Sequence, residues 1–260
     1  MESIMPSVKA QPKGQSLAQV TKDWWRWSVD LDRNGGANPF EDTTGAYASA
    51  GHMPDSHMFY LAGIAGNTGT AIDGVTTQSR AFEVPANDAI LVPVINTAET
   101  VPDYEAYLGK SKVPTIDKVE QYIYDWKNSY VQDKFLLVDG KPVPLDNSYV
   151  ESGPFSLGSV EPGDVGYDLF GLRPAGTEQQ PAFAGGYWGV IKGLGVGTHS
   201  IEFGGSIDYS LTDAGFGPPD GTVDFSYKVV DTVTVVPPSH YHPGHHHPNV
   251  TPCGTGLFDR

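Results

Sequence analysis

The chain has 260 residues, 39% hydrophobic and 11% aromatic, which supports a sizeable core and excludes global disorder. Against 31 Asp and Glu stand 16 Lys and Arg, and the formal net charge of −15 repels phosphate backbones and anionic surfaces, which excludes nucleic acid as an expected partner. The single cysteine, Cys253, rules out an internal disulfide and a zinc centre of paired thiolates, while 31 Gly and 21 Pro scattered between short apolar runs rule out a helix-dominated fold.

Residues 1–15 are polar and without periodicity, which predicts a flexible N-terminal arm suited to self-association by strand donation to a second copy. From Ser16, a plausible N-cap, Leu17, Val20, Trp24 and Trp27 recur at helical spacing and predict an amphipathic helix to Val29. Trp24, Trp25 and Trp27 read as core anchors, with a sugar-stacking platform as the lesser alternative.

Directly after this helix, Asp30-Leu31-Asp32-Arg33-Asn34-Gly35 with Glu41 at the twelfth position meets every fixed position of the EF-hand calcium loop. Oxygen ligands at alternate positions converge on a hard cation, and the Gly permits the reversal. Pro39 within the loop and the non-helical Asp42-Thr43-Thr44-Gly45 after it exclude a paired EF-hand. Asp30, Asp32, Asn34 and Glu41 are therefore the expected Ca2+ ligands, and a plain Asn34-Gly35 turn solvated by acidic residues is the alternative. His52, Asp55 and His57 follow, and this spacing fits hydrogen-bonded histidines in a loop better than a mononuclear metal centre.

Strands are expected at His57 to Leu61, Arg80 to Val84 and Ala89 to Ile95, where Pro93 marks an edge or a bulge. Helical spacing returns with Ile116, Val119, Ile123 and Trp126, predicting a second helix over about Thr115 to Tyr130. Asp139-Gly140, after the apolar run Phe135 to Val138, is the strongest hairpin signal in the chain. Residues 153–184 are expected to be long loops with short strands, and Tyr187 to Ile191, Thr198 to Phe203 and Val223 to Val236 to be strands. The whole reads as one all-β domain over residues 16–236, a β-sandwich of jelly-roll or immunoglobulin-like type with two peripheral helices. Residues 237–260 read as a tail, in which His240, His242, His245, His246 and His247 are candidate ligands for Cu2+, Ni2+ or Zn2+, with a polar tail of incidental metal affinity as the alternative.

Several segments together resemble a broad family of uncharacterised, secreted bacterial β-sandwich proteins. They are Asp23-Trp24-Trp25-Arg26-Trp27-Ser28, Asn38-Pro39-Phe40, Asp42-Thr43-Thr44-Gly45, Phe59-Tyr60-Leu61-Ala62-Gly63, the run from Val84 to Asn96, Gly185-Gly186-Tyr187-Trp188 and Gly197 to Phe203. The resemblance implies export, with the export signal absent from this sequence. It also implies that Ala48 and Phe82 occupy places where such proteins carry a cysteine pair. It brings no activity, and the histidine-rich tail has no counterpart in it.

The sequence lacks a Gly-x-Ser-x-Gly elbow, a phosphate-binding Gly-Lys-Ser/Thr loop, His-Glu-x-x-His and a dinucleotide fingerprint, and it holds no apolar run of membrane-spanning length. The expectation is an extracellular binding or structural protein, of matrix or filament type, stabilised by calcium. A secreted polysaccharide-active enzyme using paired carboxylates, with carbohydrate as partner, is the alternative. Exposed Trp or Tyr beside a carboxylate groove would favour the enzyme, and buried Trp the structural role.

Overall fold

The structure is a computed structural model and describes residues 15–33, 38–64, 70–72, 74–100, 116–158, 160–170, 172, 181–212, 215–217 and 219–243. In chain order its elements are α1 (Leu17–Val29), β1 (His52–Met53), β2 (Met58–Tyr60), β3 (Thr70–Ile72), β4 (Val75–Pro85) and β5 (Ala89–Thr100). After these come α2 (Ile116–Asp125), β6 (Val131–Val138), β7 (Lys141–Pro142), β8 (Tyr149–Ser156), α3 (Val165–Asp168), β9 (Pro181–Ile191), β10 (Gly197–Ile207), β11 (Ser210–Thr212), β12 (Gly215–Gly217) and β13 (Phe225–Val236).

The strands form a five-stranded sheet, β1-β2-β5-β9-β8, a six-stranded sheet, β3-β4-β13-β10-β6-β7, and the small β11-β12 pair. Each large sheet contains one parallel pair, β2 with β5 and β4 with β13, which a purely antiparallel sandwich lacks. Burial explains the two kinds of strand sequence. β5 and β9 carry near-continuous apolar runs because their sheet is covered on both faces. Ile90, Val92, Tyr187 and Ile191 face the six-stranded sheet, where Phe203, Val229, Val233 and Leu136 meet them in one cluster. Leu91, Trp188 and Val190 face the other way, into a second cluster with Val20, Trp24 and Val29 of α1. β13 instead alternates, with Tyr227, Val229, Val233 and Val235 inward and Lys228, Val230, Thr232 and Thr234 outward.

α1 starts where expected, because the Ser16 hydroxyl accepts the Gln19 N–H at 3.2 Å and satisfies one free donor of the first turn. α2 continues into a π-helical turn, Trp126–Tyr130, and packs on β5 and β9 through Val119, Ile123 and Trp126. The Asp139-Gly140 hairpin takes the expected form, with φ 51° and 71° joining β6 to β7. Pro93 marks a register shift between β5 and β9, and β5 is an interior strand, so the proline lies at a bulge and not at an edge. Residues 153–184 contain the end of β8, α3 and the start of β9. The chain after β13 does not leave the body at once, since Tyr241 is half-buried against the core.

Candidate functional site

The Asp42-Thr43-Thr44-Gly45 turn and the tryptophans of α1 are held by hydrogen bonding and packing. Asp42 accepts the Thr44 N–H at 2.8 Å, the Thr44 hydroxyl at 2.7 Å, the Gly45 N–H at 3.1 Å and the Tyr47 N–H at 2.7 Å. One buried carboxylate thus fixes the Asp42-Thr43-Thr44-Gly45 turn. Gly45 has φ 98°, and a Cβ there would collide with the Ala81 carbonyl oxygen of β4. The short 3-10 turn that follows, Ala48–Gly51, packs on β4 and places Ala48 in the cluster that Phe82 borders.

Aromatic rings cover the α1 face of the five-stranded sheet. Trp24 meets Trp25, Trp27, Phe40 and Trp188 at centroid distances of 5.1, 5.8, 5.8 and 5.2 Å. Its indole N–H donates to the Leu61 carbonyl at 2.9 Å, and that of Trp27 donates to Ala50 at 2.9 Å. All five tryptophans are described, and none belongs to the exposed surface.

The calcium-loop residues fall at the end of α1. Asp30 and Asp32 are exposed, and Asn34 lies outside the described residues. Arg33, between them, holds Glu41 through two contacts, Nε to Oε2 at 3.0 Å and Nη2 to Oε1 at 2.7 Å, and Asn38 donates to the same carboxylate at 2.8 Å. The hydrogen bond from Arg33 keeps the Glu41 carboxyl below the usual range. The loop also lies along a second acidic segment: Asp32 bridges Asp164, the Arg33 N–H donates to Gly163 at 2.8 Å and the Val165 N–H to Leu31 at 2.7 Å. A cation bound by Glu41 would have to take the place of Arg33.

His52 and His57 do come together, but on Asp88 and not on Asp55. The parallel β2–β5 pairing brings the turn before β5 beside β1 and the turn that follows it, which puts His52 Nε2 at 3.0 Å from Asp88 Oδ2 and His57 Nδ1 at 3.6 Å from Asp88 Oδ1. The Asp88 side chain is only 2% exposed, while that of His57 is 50% exposed. Burial raises the Asp88 carboxyl, and the two imidazoles pull it back in part. Asn87 Nδ2 is 3.1 Å from His57 Nδ1. Tyr241 sets its ring 4.7 Å from the His52 ring at 73°. Asp88 and Tyr241 carried no sequence signal, because only the folded chain joins residues so far apart.

In the tail, His240 and His242 are exposed, and His245, His246 and His247 lie outside the described residues. Among the described residues no group of three or more His, Cys, Asp or Glu side chains is arranged to hold a metal ion, and no helix is long and apolar enough to cross a membrane. No family model, curated protein or solved structure matches the chain.

Proposed function

We propose that this chain is an extracellular binding or structural module, of matrix or filament type, whose acidic loop at Asp30 and Asp32 takes up calcium for rigidity. One observation carries the non-catalytic reading. The tryptophans that could have formed a sugar-stacking platform are spent on seating α1 against the five-stranded sheet. The calcium part rests on the ligand spacing in the sequence and on the facing segment with Asp164 and Asp168, which adds acidic groups beside Asp30 and Asp32, and it requires Glu41 to exchange Arg33 for the cation.

The test is a thermal melt with and without millimolar calcium, alongside sedimentation of the full chain. A ligand at about a hundred times its dissociation constant adds about 2.7 kcal/mol, so calcium should raise the melting temperature by a few degrees and chelator should reverse the rise. Asp30→Ala with Asp32→Ala should abolish the shift, and deleting residues 240–247 should leave it intact. A structural role further requires self-association that deletion of residues 1–15 removes. A monomer insensitive to calcium that releases reducing ends from polysaccharide would replace this reading with the enzymatic one.

A further inference from the structure

Three separate stretches of chain meet at Asp88. β1 supplies His52, and the turn between β1 and β2 supplies His57, held at φ 52° in the left-handed region that a residue with a side chain rarely adopts. The turn between β4 and β5 supplies Asp88, and it is tied to the exit of β13 because the Ala86 N–H donates to the Val236 carbonyl at 2.8 Å. The exit itself returns as the turn Pro238–His240, whose next residue, Tyr241, rests on the His52 ring.

The polar atoms of this junction are not balanced. Asp88 Oδ2 and Tyr241 Oη are both buried without a directed hydrogen bond among the described residues, although His52 Nε2 approaches the former to 3.0 Å. No lysine or arginine among the described residues is paired with Asp88. A neutral imidazole offers a buried carboxylate only a dipole, whereas an imidazolium offers it a full opposite charge. We propose that His52, Asp88 and His57 form a proton-operated clamp, which holds the segment 237–243 when the trio has gained a proton and slackens when that proton is lost.

The other titratable groups at the junction are few. Glu83 of β4 acts on Tyr241 together with Asp88, and both hold the phenol proton in place, after burial, which raises it to about 12. Asp55 shares the turn with His57, while His240 and His242 flank Tyr241 on its own segment. The direction of the response follows from the burial of Asp88. The Asp88 carboxyl is raised in the fold, so its contribution is fully present below the ordinary carboxylate range and is lost as pH rises through the raised value. With no lysine or arginine paired with it among the described residues, the ionised Asp88 carboxylate leaves the buried trio an uncancelled negative charge, which one added proton removes, again toward acid. The clamp is therefore tighter toward acid and slacker toward alkali.

Amide hydrogen exchange on the full chain between pH 5.5 and 8 reads this directly, with protection corrected for the intrinsic rate. The Ala86 and His240 amides, which donate to Val236 and Pro237, are the probes. One linked proton changes an opening equilibrium by at most about tenfold per pH unit, so protection of these two amides should fall by about tenfold across the range while core amides of β5 hold theirs. Asp88→Asn should make the two probes insensitive to pH, and His52→Gln with His57→Gln should do the same through different side chains. Uniform protection in the unaltered chain while its histidine resonances titrate would overturn the proposal, and so would an unchanged pH response in Asp88→Asn.

Discussion

Arg80 and Asp231 are direct neighbours in the parallel β4–β13 register, and both side chains point into the body of the protein. The guanidinium meets the carboxylate through two contacts of 2.8 Å, and two of its other protons go to the Pro39 carbonyl at 3.2 Å and the Ala62 carbonyl at 2.8 Å. Burial pushes the Asp231 carboxyl up, and Arg80 opposes the shift. Such a pair adds little beyond what apolar residues of the same volume would give, yet removing one partner strands a charge. Arg80→Met should therefore cost about 3–5 kcal/mol in urea unfolding, and Arg80→Met with Asp231→Leu markedly less. A double variant as unstable as the single one would show that the four bonds, and not the lone charge, set the cost. Asp231 could have been noticed in the sequence as an acid at an inward position of an alternating strand. Its partner could not, because 151 residues separate the two and no local pattern announces a parallel pairing.

At the level of elements, α1 is a lid of aromatic rings more than a surface helix. Trp24 is fully buried between the helix and Trp188 of β9, and its N–H satisfies a carbonyl in the loop after β2. Trp24→Ala should cost about 3–5 kcal/mol in denaturant unfolding, whereas Ser16→Ala, which removes only the exposed cap, should cost about 1 kcal/mol. Equal costs would mean that the helix is held by its own turns and not by docking. Helices and alternating strands were legible because their periodicity repeats over ten or more residues, as in Leu17 to Val29 and Phe225 to Val236. β8 was not, since Gly153 and Pro154 interrupt its pattern and a register shift follows Ser152. The Asp88 junction was half legible: the two histidines stood out, while the carboxylate that gathers them lies 31 residues beyond the second one, in a turn that looks ordinary.

For the whole molecule the dominant long-range term is the charge of −15. Like charges at this density repel within the compact state, and added salt screens them over about 10 Å at 0.1 M. Sodium chloride from 0.02 to about 0.3 M should accordingly raise the melting temperature, and it should still do so in the chain with Asp30→Ala and Asp32→Ala, which keeps most of the negative charge. A calcium shift that sodium at matched ionic strength reproduces is screening and not binding. The β4–β13 ladder has a different consequence. Ten consecutive residue pairs, from Thr76 with Tyr227 to Pro85 with Val236, run in the same direction. Tension applied between the start of β4 and the end of β13 would act along that ladder, so its bonds would resist together and not one after another.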